Sequence, residues 1–128
     1  DMEKPAAVQQ LIDQVSAAHG LVLACPEYNY SLAPALKNAL DWLSREPDLA
    51  PLTGKTACIV GAGGGMGTSR AQYHLRQVCV YLNLHVLNKP ELCQGKEGAS
   101  QIDFSVATLN ERLRKLDGAG TESSQPFC

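Results

Sequence analysis

Apolar residues recur along the chain in patterns that switch between helix and strand. In segment 4–18 they lie three and four positions apart, which predicts an amphipathic helix that Gly20 ends. The continuous apolar run 21–25 predicts a strand covered on both faces, and Pro26 ends it. A helix therefore leads into a buried strand at the start of the chain.

The same alternation continues downstream. The pattern predicts, in order, a helix from near Ser31 or Pro34, a connection over 46–55, a strand over 56–60, a glycine-rich loop over 61–67, a helix over 69–84, a strand over 85–87, a polar loop over 88–103 and a closing helix through 106–116. Strands joined by helical crossovers form a parallel sheet, so the predicted fold class is α/β. Ligands in such sheets bind beyond the carboxyl ends of the strands, here the loops 26–31 and 61–69.

Composition favours one folded domain. The chain has 128 residues, 45% apolar and 19% charged, which excludes a largely disordered protein. We expect the domain to span 1–117, followed by a small, polar and mobile tail over 118–128.

Charge and cysteine usage exclude several classes of partner. The net charge is −2 and no basic stripe is present, so nucleic acid is not an expected partner. No apolar stretch approaches the roughly 20 residues of a membrane span. The five cysteines form no CxxC pair and no metal-ligand cluster, which predicts a cytoplasmic protein without a metal site.

The loop after the second strand is rich in glycine. Its candidate ligand-binding residues are Gly61, Ala62, Gly63, Gly64 and Gly65. Counting the dinucleotide-binding pattern from Gly61 or Gly63 leaves another residue type where its third glycine belongs, so that motif is excluded. Successive glycines permit positive φ angles and close backbone approach to a planar or anionic ligand, although a plain tight turn also fits the composition.

The loop after the first strand carries aromatic and polar side chains. Its candidate binding residues are Pro26, Glu27, Tyr28, Asn29, Tyr30 and Ser31. Asn29 tolerates unusual backbone angles, and the set suits the edge of a heterocycle; an aromatic turn that packs on its own domain is the alternative. Arg70 and His74 lie four residues apart on one helix face and are interpreted as side chains of the solvated helix surface; a contact with the substrate is the alternative.

A resemblance to a known family that extends over most of the chain distinguishes between the ligand-binding and the structural interpretation of each loop. Segment 26–42, PEYNYSLAPALKNALDW, and segment 61–92 resemble the NADPH-dependent FMN reductase and quinone reductase family in order and spacing, and the resemblance covers about 4–117. It implies a flavodoxin-like three-layer sandwich with a parallel sheet. It also implies that loop 26–31 cradles the isoalloxazine ring of FMN, mainly through backbone groups, and that loop 61–65 lies beside the ring.

The resemblance further implies the reaction. Hydride would pass from NADPH or NADH through FMN to a quinone or similar acceptor in a two-electron ping-pong reaction. The flavin carries the redox chemistry, so no catalytic side chain is expected. Family members commonly form dimers or tetramers, so we expect a homodimer or homotetramer.

One departure from the family pattern concerns the FMN phosphate. The family binds it with a GSxRxxS loop after its first strand, and nothing in these 128 residues matches that loop. The first two strands of the fold are therefore expected to be missing from this chain, which would leave run 21–25 at an exposed sheet edge. The alternative function is a truncated, non-catalytic flavodoxin-like module that acts by binding or assembling with partner chains.

Overall fold

Helices and parallel strands alternate in the structure, a computed structural model that describes residues 3–63, 65–89, 92–94 and 111. The elements are α1 (Ala6–Ala17), β1 (Gly20–Ala24), β2 (Glu27–Tyr28), β3 (Ser31–Leu32), α2 (Pro34–Leu43), a 3-10 turn (Pro47–Leu49), β4 (Thr56–Ala62), α3 (Ser69–Tyr81), β5 (His85–Val86) and β6 (Leu92–Gln94). The predicted α/β class is confirmed.

Strand β4 organises the parallel sheet. It pairs with β1 from Gly20 opposite Thr56 to Ala24 opposite Val60. On its other side it pairs with β5 at Thr56 and with β6 at Val60. Among the described residues β1 is thus an edge strand, in agreement with the expectation for run 21–25.

The main core lies on one face of this sheet. Side chains alternate along a strand, so Leu23 of β1 and its register partner Ile59 of β4 point to the same face. All three described helices pack there. The buried core residues are Ile12, Leu23, Cys25, Leu40, Leu43, Leu52, Ala57, Ile59, Ala71, Leu75, Cys79, Leu82 and Leu84.

The other face of the sheet is less covered than predicted. Cys58, Val60 and Leu87 form a small buried cluster there. Val22, the register partner of Cys58, is 46% exposed. The expectation that run 21–25 is covered on both faces is not met among the described residues, because all three described helices pack on the Leu23 face and the Val22 face stays partly exposed.

Several predicted boundaries need correction. Strand β4 continues through Ala62, where the glycine-rich loop was expected to begin at Gly61, and α3 ends at Tyr81 rather than at position 84. Strand β6 occupies part of the predicted polar loop 88–103 because it finds a parallel partner in the extended end of β4. The predicted closing helix, except for Glu111, and the predicted tail 118–128 lie outside the described residues.

Candidate functional site

The two loops singled out in the sequence meet at one end of the sheet. Parallel pairing of β1 with β4 places both of their carboxyl ends there, and the Cys25 N–H extends the ladder by donating to the Val60 carbonyl at 2.8 Å. The backbones then stay close. A Cβ atom on Gly61 would lie 2.7 Å from the Cys25 carbonyl oxygen and 1.9 Å from Thr68 Oγ1, so only glycine fits at this position.

Loop 26–31 is a tight β-hairpin formed by β2 and β3. Asn29 and Tyr30 occupy its tip with φ angles of 49° and 67°, both left-handed. Two successive residues with positive φ form a two-residue hairpin turn whose backbone twist matches the twist of the flanking strands. The unusual backbone angle expected for Asn29 is confirmed, whereas the sequence reasoning missed Tyr30. Tyr28 and Tyr30 are 59% and 66% exposed.

The glycine-rich loop is shaped by contacts with itself. A Cβ atom on Gly63 would lie 2.8 Å from the Gly67 carbonyl oxygen, although Gly63 does not have a positive φ. Positive φ occurs instead at Gly67, at 61°. Gly63 therefore does not use the positive φ that glycine permits, and glycine is needed there for close packing of the loop. A Cβ atom on Gly65 would have no other atom within 4 Å, and Gly64 lies outside the described residues.

The first turn of α3 joins the hairpin at Glu27. One carboxylate oxygen, Oε2, accepts hydrogen bonds from the Arg70 and Ala71 N–H groups, each at 3.2 Å. The other, Oε1, lies 3.2 Å from Arg70 Nη1. Burial alone would raise the pKa of the Glu27 carboxyl, but the Ala71 N–H and the Arg70 side chain and N–H hold that pKa below its ordinary value. Glu27 is therefore ionised at neutral pH.

Arg70 contacts both loops at once. Its guanidinium carbon lies 3.9 Å from the centre of the Tyr30 ring, a cation–π contact at the hairpin tip. Its Nη2 atom lies 3.2 Å from Met66 Sδ in the glycine-rich loop. One side chain thus touches the tip of the hairpin, its first strand at Glu27 and the neighbouring loop.

His74 also faces the hairpin. Its Nδ1 atom lies 3.1 Å from Ser31 Oγ. The interpretation of Arg70 and His74 as solvated surface side chains is therefore incomplete, because both bind the hairpin. Their spacing on one helix face was the available signal, but the sequence does not show which loop that face meets.

A surface cavity of about 450 Å³ lies beside the hairpin tip. Its lining residues are Tyr30, Ser69, Arg70, Tyr73 and His74. Its volume falls within the range of small-molecule pockets. Aromatic faces together with hydrogen-bond donors suit a planar molecule that carries polar oxygen atoms.

Metal-binding clusters and membrane-spanning helices are both absent from the described ranges. Over residues 3–63, 65–89, 92–94 and 111, no cluster of histidine, cysteine, aspartate and glutamate side chains is arranged to hold a metal ion. In the same ranges, no helix has the length and apolar character needed to cross a bilayer.

Comparison with known sequences gives a consistent picture. The NADPH-dependent FMN reductase family matches residues 1–118. An NAD(P)H-dependent FMN reductase of Pseudomonas aeruginosa is 56% identical over 113 residues, which are 88% of this chain and 60% of the relative. A quinone reductase of Escherichia coli K12 is 51% identical over 92 residues, 71% of this chain and 48% of the relative. The chain thus spans about half the length of the relatives that it matches.

Comparison with solved structures supports the fold. The flavoenzyme NAD(P)H:(acceptor) oxidoreductase FerB of Paracoccus denitrificans matches with a TM-score of 0.69 at 22% identity, over 88% of this chain and 66% of that one. An apo structure of an NADH:FMN oxidoreductase matches with a TM-score of 0.61 at 27% identity, over 94% of this chain and 63% of that one.

Proposed function

Because the chain belongs to the NADPH-dependent FMN reductase family, we propose that it acts in an FMN-dependent NAD(P)H:quinone oxidoreductase. The reaction is a two-electron, ping-pong transfer of hydride from NAD(P)H through FMN to a quinone or a similar acceptor. The observation that carries this proposal is the meeting of the hairpin and the glycine-rich loop at the carboxyl ends of adjacent parallel strands, where α/β proteins bind ligands.

The chain fits the ring end of FMN. Hairpin 26–31 offers backbone groups and exposed tyrosine rings for the isoalloxazine. Gly61 lies beside Cys25, just before the hairpin, and a Cβ atom on Gly65 would have nothing within 4 Å besides its chain neighbours. We assign the ring half of the FMN site to these described residues. The FMN phosphate requires hydrogen-bond donors of the kind expected from the GSxRxxS loop of the family.

When bound, FMN supplies the redox chemistry by accepting a hydride and passing it to the acceptor. The hairpin and the glycine-rich loop bind and orient the ring. The acceptor enters through the cavity of about 450 Å³ beside Tyr30, where aromatic side chains stack with a planar ring. The Arg70 guanidinium in that cavity favours acceptors whose oxygen atoms carry negative charge.

The rest of the proposal concerns the setting of the enzyme. We place it in the cytoplasm as a homodimer or homotetramer, with NADPH or NADH as donor. Buried thiols at Cys25, Cys58 and Cys79 support a reducing compartment, since none of these three is in a disulfide.

The test uses two variants of Asn29. Asn29→Gly keeps the positive φ of 49° available, whereas Asn29→Leu strains it. We expect FMN to bind the full 128-residue chain, Asn29→Gly to bind about as well, and Asn29→Leu to bind about tenfold more weakly, as strain of 1–3 kcal/mol implies. Quenching of FMN fluorescence measures the affinity, and NADPH oxidation with a benzoquinone measures turnover.

Two results would contradict this function. One is an unmodified chain that neither quenches FMN fluorescence nor supports quinone reduction. The other is an Asn29→Leu variant that folds and matches the unmodified chain in both assays, because the hairpin would then not touch the flavin.

The exposed edge at β1 favours one alternative. Val22 is 46% exposed in an edge strand, which is a surface that another strand or chain can pair with. A non-catalytic module that assembles with partner chains would therefore bind through β1. It would show assembly without FMN binding, which the same fluorescence assay detects.

A further inference from the structure

The N-terminus of α3 is capped from a distant part of the chain. Its N-cap residue, Thr68, makes no side-chain cap hydrogen bond. The carboxylate of Glu27 accepts the Arg70 and Ala71 N–H groups instead, at 3.2 Å each. The first N–H groups of a helix lack partners within the helix, and a negative charge is favourable at that end. Glu27 therefore supplies both the acceptor and the charge from the hairpin.

The Arg70 side chain extends this contact to the second loop. Its Nη1 atom faces Glu27 and its Nη2 atom faces Met66 Sδ, each at 3.2 Å, while Tyr30 stacks against its guanidinium. The planar guanidinium fork is needed for this, because a lysine ammonium is a single point charge without a stacking face. We call Glu27 and Arg70 together the loop clamp.

We propose that Glu27 is a positioning residue that fixes the hairpin against the glycine-rich loop. Its carboxylate is engaged inside the protein by α3, so it acts on the flavin site through the geometry of the loops. This inference rests on the proposed function only for its effect on FMN; its effect on the hairpin stands on the hydrogen bonds themselves.

The clamp has a consequence for loop motion. Short hairpins are marginally stable without tertiary contacts, and β2 and β3 have only two residues each. Removing the charge of Glu27 loosens the hairpin and the first turn of α3 together. Hydrogen exchange there becomes faster while the core stays protected.

The experiment compares Glu27→Gln with Asp41→Asn. Both changes remove one carboxylate from an ion pair, and the Asp41 pair with Lys37 lies within α2, away from the two loops. In Glu27→Gln we expect amides of the hairpin and of the first turn of α3 to exchange about tenfold faster, the loss expected for one charge-assisted hydrogen bond. In Asp41→Asn these amides should exchange at the unmodified rate.

Two further measurements separate positioning from general stability. In the unmodified chain, the NMR shifts of the Arg70 and Ala71 amides should titrate with a pKa below the ordinary glutamate value, and this titration should vanish in Glu27→Gln. The dissociation constant of FMN should rise about tenfold in Glu27→Gln. Arg70→Lys should weaken FMN binding in the same direction, and the double variant should lose little more than Glu27→Gln alone.

Each outcome decides one claim. Amides of Arg70 and Ala71 that do not titrate, or hairpin exchange equal in Glu27→Gln and Asp41→Asn, would overturn the positioning role. Unchanged FMN affinity in Glu27→Gln, with binding by the unmodified chain intact, would overturn it as well. If the unmodified chain binds no FMN, the proposed function fails, and the exchange and NMR results still decide whether Glu27 holds the hairpin.

Discussion

Tyr30 holds a backbone conformation that bulky residues seldom adopt. Its φ angle of 67° puts it at the second tip position of the hairpin, where glycine is the usual residue. The ring lies over the Arg70 guanidinium, and this contact offsets part of the strain. A costly backbone angle that retains an exposed aromatic ring is typical of a binding site, which agrees with the role proposed for the hairpin.

Cys79 makes the stability of the chain sensitive to alkaline pH. Its side chain is 0% exposed, and burial raises its pKa to about 11. Between about pH 9 and 11 the unfolded chain loses the thiol proton while the folded chain keeps it. We therefore expect the free energy of unfolding to fall over this window, with a slope of up to about 1.4 kcal/mol per pH unit.

Urea unfolding at pH 7, 9, 10 and 11 measures this slope. Cys79→Ala should flatten it, because the variant lacks this buried thiol. Some slope should remain, since burial also raises the pKa values of Cys25 and Cys58. Parallel curves for the two proteins would show that Cys79 does not contribute.

For single residues, the sequence predicts backbone conformation better than it predicts contacts with residues far away in the chain. Asn29 could be assigned a special backbone angle because asparagine tolerates that region. The pairing of Glu27 with Arg70 could not be predicted, because the two residues are 43 positions apart and their contact depends on how α3 docks at the sheet end. The type of a residue indicates its local backbone preference, whereas an ion pair between distant residues can be identified only once the fold is known.

Among the elements, β4 and the loop that follows it impose the tightest steric limits. Gly61 is still within β4, and a Cβ atom there would meet the backbone oxygen of Cys25 at 2.7 Å as well as the buried Thr68 side chain. Gly65 lies in the loop, and a Cβ atom there would have nothing within 4 Å besides its chain neighbours. Steric crowding therefore requires glycine at position 61 but not at position 65.

Gly61→Ala and Gly65→Ala form a matched pair. Gly61→Ala should lower the free energy of unfolding by about 1–3 kcal/mol, because the backbone of β1 must shift to make room. Gly65→Ala should stay within about 0.5 kcal/mol of the unmodified chain. Thermal unfolding in the absence of flavin measures both, and equal destabilisation of the two variants would contradict the steric assignment.

Element types were predictable from the sequence, but element ends were less so. The apolar periodicity of α1, α2 and α3 is strong, and all three helices occur where they are predicted. The extension of β4 to Ala62 and the existence of β6 were missed, because glycine and alanine have low strand propensity and the three residues of Leu92–Gln94 are too few to show a strand pattern. Those two segments become strands by pairing with each other, which is a long-range effect.

At the scale of the whole chain, the exposed edge at β1 stands out. Val22 is 46% exposed on this apolar edge strand, and natural proteins usually protect such edges with charge, proline or a covering segment. The 128-residue chain by itself should therefore self-associate through β1. We expect its apparent mass in light scattering to rise with concentration.

Val22→Lys tests this edge against a matched change elsewhere. A lysine at an edge strand blocks strand addition, so this variant should remain monomeric at concentrations where the unmodified chain associates. Val80→Lys replaces a more exposed valine, at 80%, on α3 and should leave association unchanged. Equal behaviour of both variants would place the association surface outside β1.

The parallel sheet also determines which end of the protein would face the solution when the other end is attached to an electrode. Both proposed flavin loops lie at one end of the strands, while the turn at Thr53 and Gly54, tied to the Asn83 carbonyl at 2.8 Å, lies at the other. Thr53 is exposed, whereas Cys25, Cys58 and Cys79 are buried and have raised pKa values. Once Cys93 and Cys128 are replaced, Thr53→Cys would be the selective point of attachment to a gold surface. A protein tethered there would present the end that carries the proposed flavin loops to the solution, so that dissolved donors and acceptors reach that end without crossing the anchored side.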